Sequence, residues 1–434
     1  MGCGGFFASG GLCGGVSVGG VSVGSGGPHG VPAPLQHAGA VHPGVLQLPP
    51  ALARAAQSLL QEEGMGLRVV LWGAMGCYRA NAALHVPRLE PGAGGGAGNA
   101  AMGAPPPRYT AELARAYLAV RLERDHAAVG RALHEIRLRA PAFTPHTLLD
   151  FGSGLGTACW AAHELWGRSL RQFLCVGTAT AMRELGERLR HGGAATGPAH
   201  FGPVLARPSL PAEHKVQWDL VVGCYALGGL RGREARAGIV RGLWRRSATF
   251  LVLVEHGTRA GHRLLMEARD VLLQDPDGDS VEIFAPCPHR QPCPRLRQDR
   301  ACAFAQRYQP LPLHGHPPDP ARELVSFLIT RRVGSPASVT PPEESVMTSP
   351  EDLMTSPPGG WARVTAPVHP RPRHVPLSLC CPDGALRRMT VTAARHGRLL
   401  YRQARASRWG DLLPLPGDVE SDVTPTKAIK SSEK

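Results

Sequence analysis

Apolar residues change their period several times along this chain, and each change marks a structural unit. In residues 49–63, Leu52, Ala56, Leu59 and Leu60 fall on one side of a helical wheel behind a pair of prolines, which predicts a short helix. Over 109–139, Leu113, Ala116, Tyr117, Val120, Leu133 and Ile136 repeat at helical spacing. A long helix is expected there, with its dense arginine face turned to solvent. From 146 the pattern alternates. Apolar runs at 148–149, 173–176, 218–222 and 250–254 read as strands, and 158–165, 182–189, 233–244 and 261–273 read as helices between and after them. Strands alternating with helices build a parallel sheet covered on both faces, so the expected fold class is α/β, a Rossmann-like sheet with an N-terminal helical region.

Beyond 273 the texture shifts. Residues 285–302, APCPHRQPCPRLRQDRAC, are too rich in proline for the interior of a helix or strand. A strand returns at 323–331. Residues 333–360 repeat MTSP at 347 and 354 and are expected to be disordered. A small C-terminal domain containing β structure follows, from 374–379, a turn at 382–384, 388–392 and 399–411. The expected organisation is a low-complexity N-terminal region with a short helix (1–107), a helical lead-in (108–145), the main domain with its cysteine loop (146–332), the insertion (333–360), the small domain (361–414) and a tail (415–434).

The first strand leads through Asp150 into Gly152, Gly154 and Gly156 and then a helix. Glycines at alternate positions let the backbone turn sharply and admit a ligand that a Cβ would keep away. D-x-G-x-G-x-G is the spacing usual for S-adenosylmethionine sites, whereas a dinucleotide fingerprint wants G-x-G-x-x-G. This makes the sheet a methyltransferase-like one, with Asp150, Gly152, Gly154, Gly156, Thr178 and Asp219 as the candidate cofactor-binding residues. The end of the second strand, Cys175, Val176, Gly177 and Thr178, offers no carboxylate for the ribose, only the Thr178 hydroxyl. At the end of the 218–222 strand stand Gly223, Cys224, Tyr225 and Ala226. No acid, base or nucleophile pair emerges there, Cys224 is expected to be a buried small side chain, and no catalytic residue is assigned.

Charge and sulfur add two further constraints. The 434 residues carry a net charge of +14, which favours a polyanionic partner; lysine occurs only at 215, 427, 430 and 434, so arginine supplies nearly all of it. Residues 1–53 contain no Lys, Arg, Asp or Glu, so neither a secretory signal nor a basic presequence is visible, and no apolar run is long enough for a membrane span. The 11 cysteines are scattered and odd in number, which speaks for a reducing compartment rather than a disulfide framework. Cys287, Cys293 and Cys302 sit on the proline-stiffened loop, with Cys380 and Cys381 far downstream. A Cys₄ site for zinc or an iron-sulfur cluster and a set of unrelated thiols are both open on spacing alone. His289 is expected on the surface.

LLDFGSGLGTA, LVLVEHGTRAGHRLLMEARD, the FAPCPH to PCP to Cys302 segment, LCCPDG and YRQARASRWGDLLP together resemble the methyltransferase-like family of mitochondrial small-subunit ribosome assembly factors. The likeness spans roughly 109–414 apart from the insertion. It implies a protein of the mitochondrial matrix, a four-iron four-sulfur cluster, and the small ribosomal subunit and its rRNA as partners. No membrane contact is implied, and the protein would be a monomer when off the ribosome. Carried over by motif, the ligands would be Cys287, Cys293, Cys302 and, because it directly precedes the Pro-Asp-Gly turn, Cys381. The principal reading is an rRNA-binding assembly factor that supports mitochondrial translation. The alternatives are an active S-adenosylmethionine-dependent rRNA methyltransferase and a zinc-stabilised RNA-binding module.

Overall fold

The structure, a computed structural model, describes residues 39–61, 109–212, 216–275, 280–312, 318–334, 360–415 and 424–425. Apart from its ends, the expected insertion at 333–360 lies outside them. In chain order the elements are β1 (Val45–Leu46), α1 (Pro50–Gln61), α2 (Ala111–Arg139), β2 (Thr147–Phe151), α3 (Thr157–Trp166), β3 (Gln172–Val176), α4 (Thr180–Arg190), β4 (Val204–Arg207), β5 (Trp218–Cys224), α5 (Arg233–Arg245), β6 (Ser247–His256), α6 (Arg259–Leu273), β7 (Val281–Ala285), α7 (Pro294–Arg297), β8 (Phe304–Tyr308) and β9 (Ala321–Arg332). After these come β10 (Trp361–Val364), β11 (His374–Cys380), β12 (Leu386–Thr392), α8 (Ala393–Ala406), β13 (Leu412–Pro414) and β14 (Thr424–Pro425). Among the described residues no helix is long and apolar enough to cross a membrane.

The main sheet runs β4-β3-β2-β5-β6-β9. Its first five strands are parallel, and β9 enters antiparallel beside β6. On its other edge β9 pairs with β7 along 329–332 and with β8 along 321–325. Strands β7 and β8 therefore continue one another along a single neighbour, and residues 286–303 leave the sheet between them. The centre of the sheet is buried on both faces: Val252, Leu251, Leu253 and Phe250 on β6 are all 0–1% exposed. This is why that segment reads as an unbroken apolar run. A second sheet, β13-β10-β11-β12-β14, is antiparallel and packs α8 against a core of Val364, Val375, Leu377, Met389 and Val391. The mixed α/β architecture, a Rossmann-like sheet with a separate small antiparallel sheet, matches the class expected from the periodicity.

Three local expectations are corrected. The arginine face of α2 is only partly in solvent: Arg137 and Arg139 are exposed, but Arg121 and Arg131 are buried and paired with Asp125 at 2.5 Å and Glu135 at 3.2 Å. The covering layers come from far away in sequence, β9 through Glu323 and residues 39–42 through the Val41 carbonyl. Residues 39–48, to which the pattern assigned no element, are woven in. β1 extends the sheet beside β8, and Leu52, Ala55 and Ala56 are 0% exposed against the same core as α2. The last piece of the tail, 399–411, is the second half of α8 and a turn.

Candidate metal centre

The loop that leaves the sheet between β7 and β8 carries Cys287, Cys293 and Cys302. Cys293 caps the short helix α7, and the Cys302 carbonyl accepts from Ser326 Oγ of β9 at 2.8 Å, which pins the loop's return. Facing it is the end of β11. Cys287, Cys293, Cys302 and Cys380 line one hollow together with Arg295 and Arg363. Burial pushes all four thiols up, Cys287 to about 11, and mutual repulsion adds to this: Cys287, Cys302 and Cys293 all raise Cys380. Four ionised thiols can coexist here only if a cation takes up their charge.

The thiol brought into this hollow is Cys380 rather than the expected Cys381. Successive side chains at the end of a strand point to opposite faces. Cys381, 1% exposed, faces the core of the second sheet, its N–H donates to Ala385 O at 3.0 Å, and its charged neighbours are Arg387 and Asp383. His289 is not on the surface. It is 7% exposed with Nε2 at 3.3 Å from Cys380 Sγ, and His262 of α6 places Nε2 3.6 Å from Cys293 Sγ. Burial and the nearby Arg295 and Arg263 lower His262 to about 4, so it is neutral at physiological pH.

Zinc at about 2.3 Å from each sulfur holds tetrahedral ligands only about 3.8 Å apart. Among the described residues the triad with ligand atoms within 4.8 Å of one another is Asp150, Cys159 and Cys175, and the sulfurs of the loop and β11 form no such triad. Four thiols around one hollow, with Arg295 and Arg363 beside them, are a donor set that either zinc or an iron-sulfur cluster can use.

At the glycine loop the backbone is as expected, with φ of 74° at Gly152, 50° at Gly154 and 75° at Gly156. The space a Cβ would fill is taken by protein at Gly152, whereas at Gly156 a Cβ would meet nothing within 4 Å. At Gly152 it meets Ala226 Cβ at 2.8 Å, and at Gly154 it meets Met182 Cε at 3.5 Å. The Gly152 and Ser153 N–H groups both donate to Val176 O, at 2.8 and 3.1 Å. Asp150 is 1% exposed, it accepts from the Cys159 thiol at 3.8 Å, and burial raises it to about 7. Thr178 is exposed beyond β3. Asp219 is corrected outright: it lies at the start of β5, where it accepts from His146 N, Thr147 N and Thr147 Oγ1 at 2.8, 3.0 and 3.2 Å. That is the opposite end of the sheet from the loop, four residues or about 13 Å along β2. Cys224 stays a thiol, raised well above 9 by burial and by Asp125, Asp150 and Glu255. Gly154 and Gly156 line one hollow with Ser153, Trp160, Cys175 and Arg183, while Asp219 stands at the far end of the sheet from it.

Residues 111–414 match the family model described as "Mitochondrial small ribosomal subunit Rsm22". The chain belongs to the Rsm22 family. It is 46% identical over 312 residues to the human "Ribosome assembly protein METTL17, mitochondrial", covering 71% of this chain and 64% of that protein. To the Schizosaccharomyces pombe "Rsm22-cox11 tandem protein 2, mitochondrial" it is 31% identical over 262 residues, 54% of this chain and 34% of that one. The chain therefore spans less than two thirds of the human relative and about a third of the yeast one. Among solved structures it is similar to the magnesium protoporphyrin IX methyltransferase of Synechocystis PCC 6803 with bound SAM. That match has 12% identity and a TM-score of 0.32 over 62% of this chain and 100% of that chain.

This Rsm22-family chain also contains a joint that its sequence did not announce. Glu135 of α2 is 0% exposed and receives Arg131 at 3.2 Å, Arg139 at 3.0 Å and, from β10, Arg363 at 2.5 Å. Burial alone would raise it, but Arg363, Arg131 and Arg139 together draw it down to about 2. Arg363 also donates from Nε to Pro286 O at 2.8 Å and from NH1 to Gly410 O at 2.7 Å. One guanidinium thus ties α2, the start of the cysteine loop and the turn before β13. The signal available in the sequence was a lone glutamate four residues from an arginine on either side.

Proposed function

We propose that this chain is an assembly factor of the mitochondrial small ribosomal subunit, acting in the matrix and binding rRNA. In this reading a four-iron four-sulfur cluster on Cys287, Cys293, Cys302 and Cys380 joins the Rossmann-like sheet to the second sheet. The observation that carries it is the convergence of three thiols from the β7–β8 loop and one from β11 on a single hollow. When bound, the cluster would supply a multivalent cross-link between two segments far apart in the chain. The chain's own residues do the rest. Ser326 holds the loop's return, His289 and His262 sit against the sulfurs, and Arg295 and Arg363 offset negative charge. Family membership and the human relative's printed description as a mitochondrial ribosome assembly protein support the partner. In this reading the Rossmann-like sheet serves as scaffold, with Ala226 packed against Gly152 of its glycine turn.

Anaerobic purification followed by visible absorption and by iron and sulfide analysis tests the centre. A brown protein with about four irons per chain is expected. Colourless protein with one zinc would replace the cluster by the zinc-stabilised module. Co-sedimentation with mitochondrial small subunits tests the partner, and protein that stays in the soluble fraction at every salt concentration would remove it.

A further inference from the structure

Helix α8 begins at the Thr392 cap, kinks at Gly397, where φ is 79°, and then turns Leu400, Gln403 and Ala404 into the second sheet. The opposite side carries Arg398, Arg402 and Arg405, spaced four and three residues apart, so they stack on one face at steps of about 6 and 4.5 Å. All three are exposed, and so is Leu399 beside them at 57%. The strand-entry segment lies alongside: Tyr401 donates to Pro372 O at 3.1 Å, and Arg405 donates to Arg371 O at 2.8 Å. These two bonds bring exposed Arg371 and Arg373 into the same patch. Between 361 and 415 the carboxylates are Asp383 and Asp411. Asp411 is fully buried and Asp383 is paired with Arg387, so neither answers the patch.

We infer that this α8 face, with Arg371 and Arg373, is the surface by which the chain grips the phosphodiester backbone of RNA. The inference rests on the ribosome-assembly reading and locates its contact. A solvated helical face normally alternates signs of charge, whereas this one presents a single sign built wholly from guanidinium forks, the group that matches phosphate oxygens in pairs. One exposed leucine is too little apolar area for a hydrophobic partner or a membrane surface. Arg121 and Arg131 of α2 cannot take this role, since both are committed inside the protein.

The test uses the anaerobically purified full chain and a labelled hairpin from small-subunit rRNA, with binding measured from low to physiological salt. Arg398→Glu with Arg402→Glu is expected to weaken binding about tenfold or more at physiological salt and to reduce the slope of log K against log salt by about 2. Arg398→Lys with Arg402→Lys should keep most of the affinity. Arg233→Glu with Arg245→Glu on α5 makes the same change in net charge and should do little. Matching urea midpoints establish that the variants are folded. Unchanged hairpin binding by the α8 charge reversal overturns the inference and leaves the assembly reading standing. Loss of small-subunit association with hairpin binding intact also overturns it, and assigns the face to a ribosomal protein. If the unaltered chain binds neither hairpin nor subunit, both readings fall.

Discussion

Replacing Glu135 by Gln tests the joint at its most loaded atom. The change is nearly isosteric, so packing is kept and only the charge goes. Three guanidiniums, Arg131, Arg139 and Arg363, then share a buried site without their common carboxylate. Breaking a buried pair from one side costs about 3 to 5 kcal/mol, a large part of a typical total of about 5 to 15. The proton linkage gives a similar figure, since a fall from the ordinary 4.5 to about 2 corresponds to about 3 kcal/mol. Because the folded value is depressed, this stability is fully present above about pH 4.5 and is lost as pH falls toward about 2. Arg363→Met should cost less, about 2 to 3 kcal/mol, because Glu135 keeps Arg131 and Arg139 after losing its pair with Arg363 and the carbonyls of Pro286 and Gly410 lose a donor. Urea unfolding at pH 7 should therefore rank the Glu135 variant below the Arg363 variant; the former should lose the acid-side decline between about pH 4.5 and 2, and the latter should weaken it, because Arg363 does most to hold Glu135 down. The reverse ranking, or a Glu135→Gln midpoint equal to the parent's, would refute the reasoning.

Other substitutions separate the remaining claims. Cys380→Ser should abolish the brown colour and the bound iron, whereas Cys381→Ser should retain most of both, measured by absorption and metal analysis of the anaerobic protein. Burial raises Asp150 from 3.8 to about 7, so its contribution to stability is greatest at low pH and is lost as pH rises through 7. Asp150→Asn is then expected to be more stable than the parent at pH 8 and to lose that advantage near pH 4, as read from thermal melts across pH. Asp411→Ala strands the N–H groups of Val41 and Arg408, at about 1 to 3 kcal/mol each. Hydrogen exchange should quicken at residues 41–46 before it does in β6.

What could be read from the sequence divides along a physical line. Elements whose burial is set by their own pattern were legible: β2, β3, β5 and β6 as apolar runs, α4 to α6 as one-sided helices, and the glycine turn by its spacing. Elements defined by a distant partner were not. β1 is two residues long, and nothing in Val45 and Leu46 points to β8. β4 is an edge strand with mostly exposed side chains, so its pattern carries no alternation. β7 and β8 were masked by the proline loop between them. The choice between Cys380 and Cys381 depends on which face of β11 meets the loop. That parity is fixed by pairing with β12, Cys380 opposite Leu386, and not by spacing. Asp219 went astray for a related reason, since position within a strand decides which end of the sheet a residue serves.

The contacts that close the sulfur hollow are also those that hold the arginine helix in place. Gly410 O accepts from both Arg363 and Arg131, and Gly410 stands just beyond the end of α8, next to the buried Asp411. Besides Cys380, the second sheet meets the cysteine loop through Arg363 to Pro286 O and Arg295 to Thr365 O. The second sheet is also tied to α2 through Arg363 and Glu135 and to residues 39–41 through Asp411 and Leu412, so four metal–sulfur bonds would add rigidity chiefly at the cysteine loop itself. Through Pro286, Arg363 and Gly410 the state of the proposed cluster should still reach the RNA-facing helix without any cysteine touching RNA. Chelating the metal from the purified chain is expected to loosen α8 in hydrogen exchange and weaken hairpin binding together, while β6 and its neighbours stay protected. If α8 keeps its protection after the metal is gone, the arginine joint at Glu135 is enough to hold the two sheets together.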